Sequence, residues 1–248
     1  MSKGIHLLYK RIGETPLETI LRFKKDSEKY KNTPITYAGR LDPMAEGLLL
    51  VLSGEEVKKK EKYLDLPKTY EFQILWGFET DTLDILGQIM SRSEDVPTVE
   101  KVKKFIKESR GKFEQIYPNF SSKPVLGKPL YKWAREGRLD RIKIPKHVVE
   151  VFITRFVSRK FISGKELLLD IKSRIALVSG DFRQKEVIKR WEKELVFSSK
   201  EKLVLDKIKI KVSSGFYVRQ FVNDLAKELE TEAVAFHIKR TNIGGYKL

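Results

Sequence analysis

One carboxylate in this chain sits where chemistry could be done. Asp42 lies in the stretch TYAGRLDPMAEGLLLVLSG, residues 36–54, between Gly39 and Pro43 and just ahead of a run of leucines. Aspartate is favoured in turns because its short side chain bonds nearby backbone donors. Two further features suit a catalytic acid. Gly39 and Gly47 flank the turn, so other backbone can approach it closely. The segment GLLLVLSG gives it a rigid support, which a preorganised catalytic group needs. Other chemistry is poorly provided for. The chain has no cysteine, so neither a disulfide framework nor a thiolate metal site is available. His6, His147 and His237 are far apart and lack ligand spacing, so no metal centre is expected.

The elements that must position Asp42 can be read from periodicity. Residues 16–30 read as a helix with Leu17, Ile20 and Leu21 on one face. Residues 47–53 and 69–77 read as strands, the first fully buried. Thr98 to Arg110 reads as a helix with Val99, Val102, Phe105 and Ile106 inward, preceded by Pro97 and ended by Gly111. Residues 148–158 and 165–173 are expected to be strands, and 181–195 a helix carrying Ile188, Trp191 and Leu195. In KIKIKVSS, residues 207–214, lysines alternate with Ile208, Ile210 and Val212, predicting a strand with one buried face. A helix from about Arg219 to Leu229 follows the break at Gly215. Strands and helices interleave without a regular βαβ rhythm, which predicts an α+β fold on a mixed, mostly antiparallel sheet.

Composition narrows the partner. Lysine and arginine total 50 against 34 acidic residues, a net charge of +16, and 41% of the 248 residues are hydrophobic. The length suits one large domain with a proper core. The basic excess favours a polyanion, nucleic acid before an anionic membrane. No apolar run approaches the roughly 20 residues of a membrane helix, and no N-terminal apolar signal is present, so a cytoplasmic protein is expected.

The motifs resemble those of pseudouridine synthases, specifically the TruB family. AGRLDPMAEGLLLVLSG is similar to the family's catalytic motif, and Pro43, Ala45 and Gly47 point to TruB among its cousins. GIHLLYKRIGET, KTYEFQILWGFETDTLDILGQI, YPNFSSKPVLGKPLYKWAREG and SSGFYVRQFVNDLAKEL resemble further family segments in the same order. The second of these includes Asp84 and Gly87. Together they cover most of residues 4–137 and 205–248. The resemblance implies the pseudouridine synthase catalytic fold with a central RNA cleft. It also implies cofactor-free isomerisation of a uridine to pseudouridine, with the T-loop uridine 55 of tRNA as substrate.

It implies roles for residues as well. Asp42 matches the catalytic aspartate, acting as nucleophile toward the sugar or as base. Arg219 matches the arginine that pairs with it, an always-charged fork that suits a carboxylate. Arg183 in SGDFRQ is a competing echo, but it lacks the preceding Tyr217–Val218 pair. Tyr70 matches the tyrosine on which a flipped uracil stacks and whose hydroxyl could act in proton transfer. Tyr217 and Ile238 match apolar walls of the base pocket. Lys10, Arg40, Lys123, Lys128, Lys132 and Arg135 are candidates for the RNA backbone, with the lysines of 207–211 and the basic 183–193 segment as further surface.

The sequence departs from the family in several places. Thr36 and Tyr37 stand where a Gly-His pair is usual, and Tyr37 is expected to stack in place of that histidine. Lys10 is followed by Arg11 where Lys-Pro is usual. A segment at about 165–201 is atypical of the family, and the C-terminal PUA domain of many relatives is not expected. The reading is a single catalytic domain over 1–248 acting on the tRNA T-arm, a monomer with no obligate protein partner and no membrane association. The alternatives are a non-catalytic RNA-binding or RNA-folding module, and a synthase acting on ribosomal or messenger RNA.

Overall fold

The structure, a computed structural model, describes residues 4–196 and 202–248, so the last residues of the 165–201 segment lie outside it. The chain runs through β1 (Ile5–Lys10), α1 (Pro16–Lys25), β2 (Ile35–Ala38), β3 (Ala45–Ser53), α2 (Lys60–Leu64) and β4 (Lys68–Trp76). Next come β5 (Phe78–Thr80), β6 (Ile89–Arg92), α3 (Val99–Glu108), β7 (Gly111–Ile116), β8 (Pro124–Val125), β9 (Lys128–Pro129) and α4 (Leu130–Arg135). The long β10 (Lys146–Ser163) leads into α5 (Gly164–Ile175) and α6 (Gln184–Val196). The chain then continues through β11 (Lys202–Val212), α7 (Val218–Glu228), β12 (Ala233–Ile243) and β13 (Tyr246–Lys247).

The main sheet has the order β1-β3-β12-β4-β11-β10-β7, with β2 also on β3 and β13 on β12. Every pairing is antiparallel except β12 with β3, so the α+β mixed sheet is the one the sequence predicts. Alternate side chains point to opposite faces of a strand. Tyr70, Phe72, Ile74 and Trp76 of β4 share one face, where α7 and α3 pack through Phe221, Val222, Leu225, Val102 and Ile106. Leu75 points the other way and joins Leu203, Leu205 and Val234 beneath the α5–α6 hairpin.

Three expectations need correction. Residues 165–173 are helical. Ser163 caps α5, accepting from the Glu166 N–H at 3.2 Å while Glu166 accepts from the Ser163 N–H at 3.1 Å. Leu167, Ile171 and Ile175 are all fully buried at four-residue spacing, and the last of them lies beyond the window that reads as a strand. The helix at 16–30 stops at Lys25, followed by a short 3-10 turn at Glu28–Tyr30. Its inward side is Pro16, Thr19 and Ile20, while Leu17 and Leu21 are exposed.

The lysines of 207–211 alternate with the buried residues of β11, but on the sheet face opposite Tyr70. There Lys207 and Lys209 pair with Glu71 at 2.9 and 3.3 Å. They therefore do not border the cleft described below. Among the described residues, no helix is long and apolar enough to cross a membrane.

Candidate active site

Asp42 lies in the loop between β2 and β3, and two buried cations hold that loop. Arg240, on β12 and almost fully buried, donates from Nε to the Leu48 carbonyl at 2.8 Å, from Nη1 to Arg40 at 3.2 Å and from Nη2 to Gly39 at 3.1 Å. Lys10 Nζ, at the end of β1, donates to the carbonyls of Arg11, Pro43 and Ala45 at 3.1, 3.3 and 2.5 Å. Burial pulls the Lys10 pKa down to about 8, with the nearby Asp42 and Glu14 charges opposing that shift. Gly47 has φ +109°, and a Cβ there would lie 2.3 Å from the Arg240 carbonyl oxygen, so the β3–β12 approach requires glycine.

The carboxylate meets a second preorganised group at the start of α7. Arg219 Nε donates to Asp42 Oδ2 at 2.8 Å. Its Nη1 donates to the Thr82 carbonyl and its Nη2 to the Phe120 carbonyl at 3.2 Å. Arg219 is 3% exposed, whereas Asp42 is 32% exposed to an open cavity. Burial works against the guanidinium charge, but Asp42 and Asp84 outweigh it and raise the Arg219 pKa.

Asp84 Oδ2 lies 3.7 Å from Arg219 Nε, and its Oδ1 accepts from Thr82 Oγ1 at 2.7 Å and from the Leu86 N–H at 3.0 Å. Complete burial raises the Asp84 pKa despite the arginine beside it. The turn that presents Asp84 depends on Gly87, where a Cβ would come within 2.5 Å of Thr82 Oγ1.

A cavity of about 400 Å³ opens beside Asp42. Tyr70, Tyr217 and Ile238 line it, with Lys68 and Arg240 also in its wall. Buried Gln115 fixes Tyr217, accepting from its N–H at 2.8 Å and donating to its carbonyl at 3.1 Å. Burial, followed by the Asp42 charge, pushes the Tyr217 hydroxyl up to about 12. Tyr117 stands edge-on to Tyr217 with ring centroids 5.6 Å apart and stacks on His147 at 4.0 Å, adding a flat aromatic wall. Lys68 donates to the Leu64 carbonyl and to Ser214 Oγ, and burial lowers its pKa to about 8.

The structure thus brings Asp42, Arg219, Tyr70, Tyr217 and Ile238 together. Tyr37 lies on the other side of Asp42, its hydroxyl accepting from Arg40 Nη2 at 3.2 Å. Arg40 also donates to Ser122, and Lys123 lies over the Tyr117 ring, so both border the cavity. Lys132 is exposed on α4. Lys128 is engaged by Glu136 at 2.6 Å and lies over the Trp133 ring, and Arg135 donates to the Asp181 carbonyl. Lys10 is a correction: it is fully buried and cannot reach an RNA backbone.

Lys68, Gln115 and Arg240 belong to the site without being marked as site residues in the sequence. Asp84 was visible inside the TDTLDILG motif but carried no assigned role. Lys68 sits two residues before Tyr70, the one available signal for it. Nothing local marks Gln115 or Arg240.

Residues 27–175 match the family model described as TruB family pseudouridylate synthase (N terminal domain). The chain belongs to this family. Over its whole length it is 30% identical to the tRNA pseudouridine synthase B of Borreliella burgdorferi, covering 72% of that protein. It is 29% identical to that of Lactobacillus acidophilus over its whole length and 71% of that protein. Against the Aquifex aeolicus protein of the same name, identity is 35% across 59% of this chain and 50% of that one.

Among solved structures the fold matches a chain of a Cbf5-Nop10-Gar1 complex with TM-score 0.59 at 17% identity, covering 98% of this chain and 50% of that one. It also matches a chain of an H/ACA RNP bound to a substrate RNA containing 2'-deoxyuridine, with TM-score 0.56 at 16% identity, covering 98% of this chain and 48% of that one. The chain therefore spans about half of those solved chains. The Asp42 loop runs directly into the start of β3, where Ala45 to Gly47 pair in parallel with Ile238 to Arg240 of β12.

Proposed function

We propose that the cavity beside Asp42 takes the T-loop uridine 55 of tRNA and isomerises it to pseudouridine. The carrying observation is the Asp42–Arg219 ion pair at 2.8 Å on the edge of an aromatic cavity, in a chain whose relatives are named tRNA pseudouridine synthase B. The reaction breaks the bond between C1' and N1 and joins C1' to C5. The proton leaves C5 and one is taken up at N1, so no oxidant or group donor enters.

Asp42 serves as nucleophile toward the sugar or as base, and either role needs the ionised carboxylate. Arg219 pairs with it at 2.8 Å and fixes its orientation. Tyr70 offers the flat surface against which the extruded uracil stacks while it turns. Lysines and arginines at the rim contact phosphates, which gives affinity without sequence information.

The test is to incubate the protein with separate tRNA, ribosomal RNA and messenger RNA pools and to map pseudouridine. Modification at position 55 of tRNA is expected, and it should be lost in Asp42→Asn while tRNA is still bound. Modification confined to another RNA pool contradicts the substrate. Binding without modification by the wild type leaves an RNA-binding module instead.

A further inference from the structure

A second cavity of about 400 Å³ opens on the other side of Asp42. The two share Arg40, Leu41, Asp42, Ser121 and Ser122, so they meet at the carboxylate. The first is assigned above to the target base. The second has the lining of a nucleotide site. Four guanidinium groups, of Arg40, Arg135, Arg183 and Arg219, face three carboxylates, of Asp42, Asp84 and Asp181. Four rings, of Tyr37, Phe120, Tyr131 and Phe182, complete the wall. Bases stack on aromatic rings and on guanidinium planes, and phosphates pair with the same guanidinium groups.

Part of this wall comes from the turn between α5 and α6, inside the family-atypical segment. The turn is built tightly. Gln184 donates to the carbonyls of Val178 and Gly180 at 3.0 and 2.7 Å and accepts from the Phe182 N–H at 3.0 Å. Asp181 Oδ1 accepts from the Arg183 N–H at 3.2 Å, and its carbonyl accepts from Arg135 at 2.6 Å.

Arg183 has φ +58°, the left-handed region that residues with a side chain rarely adopt. That backbone sends its guanidinium to Asp81 Oδ2 at 2.8 Å and over the Phe120 ring at 5.3 Å. Phe120 is the residue whose carbonyl holds Arg219 Nη2. The turn and the catalytic pair therefore share one wall. The Arg183 side chain is 32% exposed.

We propose that the α5–α6 turn forms the outer wall of a second nucleotide pocket, in which Arg183 stacks against the unpaired base next to the target uridine in the strand. This deepens the proposed function and rests on it for the identity of the RNA. A strand crossing Asp42 delivers the target base to one cavity and its neighbour to the other. Pulling the neighbour out of its own stack helps to extrude the target.

The test is a binding cycle with a hairpin RNA carrying the T-arm sequence. Dissociation constants are measured for wild type, Arg183→Ala, Arg183→Lys and Arg183→Gly. The RNAs are intact, or abasic on the 5' or the 3' side of the target. Glycine tolerates the left-handed backbone, so Arg183→Gly removes the side chain without straining the turn.

Stacking of one base is worth about 1–3 kcal/mol, so all three variants are expected to bind intact RNA roughly fivefold to a hundredfold more weakly. On one of the two abasic RNAs, wild type and variants should bind alike. Wild-type affinity in Arg183→Gly overturns the proposal. Full rescue by Arg183→Lys does too, because a point charge would then suffice. So does an equal loss on all three RNAs, which marks a phosphate contact without a base pocket. These readouts do not need turnover: absent pseudouridine with the binding differences intact overturns the function and leaves the pocket standing.

Discussion

At the scale of single residues, the site is a matter of which charges are buried. All three guanidinium nitrogens of Arg219 are engaged, by Asp42, Thr82 and Phe120, at 3% exposure. Lysine offers no planar fork and could not reach all three acceptors. Arg219→Lys is therefore expected to lower the single-turnover rate of pseudouridine formation by at least about 100-fold, on the scale of a lost catalytic group. A rate within a fewfold of wild type would mean that the ion pair is unimportant.

Lys10 makes the opposite prediction from a surface lysine. Lys10→Met removes the Lys10 donor from the buried Ala45 carbonyl, while the Arg11 and Pro43 carbonyls keep the Glu14 and Gly13 N–H groups, so a loss of about 1–3 kcal/mol in urea unfolding is expected. The slope of log RNA affinity against log salt should not change, since no phosphate contact is removed. A slope reduced by about one would return Lys10 to the RNA surface. Asp42 was legible because a turn, two glycines and a strand surround it in sequence. The burial of Lys10 and Arg240 was not legible, because it is created by β3 arriving between β1 and β12.

At the scale of elements, the parallel junction of β3 with β12 adjoins the Asp42 loop, and a carboxylate–histidine contact spans it. Glu46 on β3 accepts from His237 Nε2 of β12 at 3.0 Å. His237 first, with Tyr9 and nearby Lys239 adding to it, lowers the Glu46 pKa from 4.5 to about 2 against the opposing effect of burial. Between those values the unfolded chain binds a proton that the folded protein refuses. The stabilisation is therefore complete above about pH 4.5 and disappears as the pH falls toward 2. Glu46→Gln should flatten this part of the acid limb in a plot of Tm against pH. An unchanged limb would assign it to other carboxylates.

The elements also show where periodicity misleads. The leucines of 167–169 look like a strand core. Only the Ser163–Glu166 capping box and the fourth-residue spacing onward to Ile175 reveal α5. Most of the strands, α3 and α7 were legible because their apolar faces are one-sided, as in the alternating lysines of β11.

At the scale of the whole molecule, the α5–α6 hairpin is core as well as cleft wall. Trp191 is fully buried, donates from Nε1 to the Ile85 carbonyl at 3.2 Å, and packs on Phe78 with ring centroids 5.2 Å apart. Trp191→Ala is expected to cost about 3–5 kcal/mol in equilibrium unfolding. A cost below 1 kcal/mol would show α6 to be a detachable solvated helix. The sequence hinted at this through Ile188, Trp191 and Leu195, but not at what they pack against. Arg240 adds a consequence in time. Its Nε meets the Leu48 carbonyl across 192 residues of chain. At about 5–20 residues per second of synthesis, the ribosome needs on the order of 10–40 s to make the clamp after it has made the loop. Throughout that interval the Asp42 loop of the nascent chain lacks the donor that ties down its Gly39, Arg40 and Leu48 carbonyls, so the loop gains its anchor among the last parts of the chain to be made.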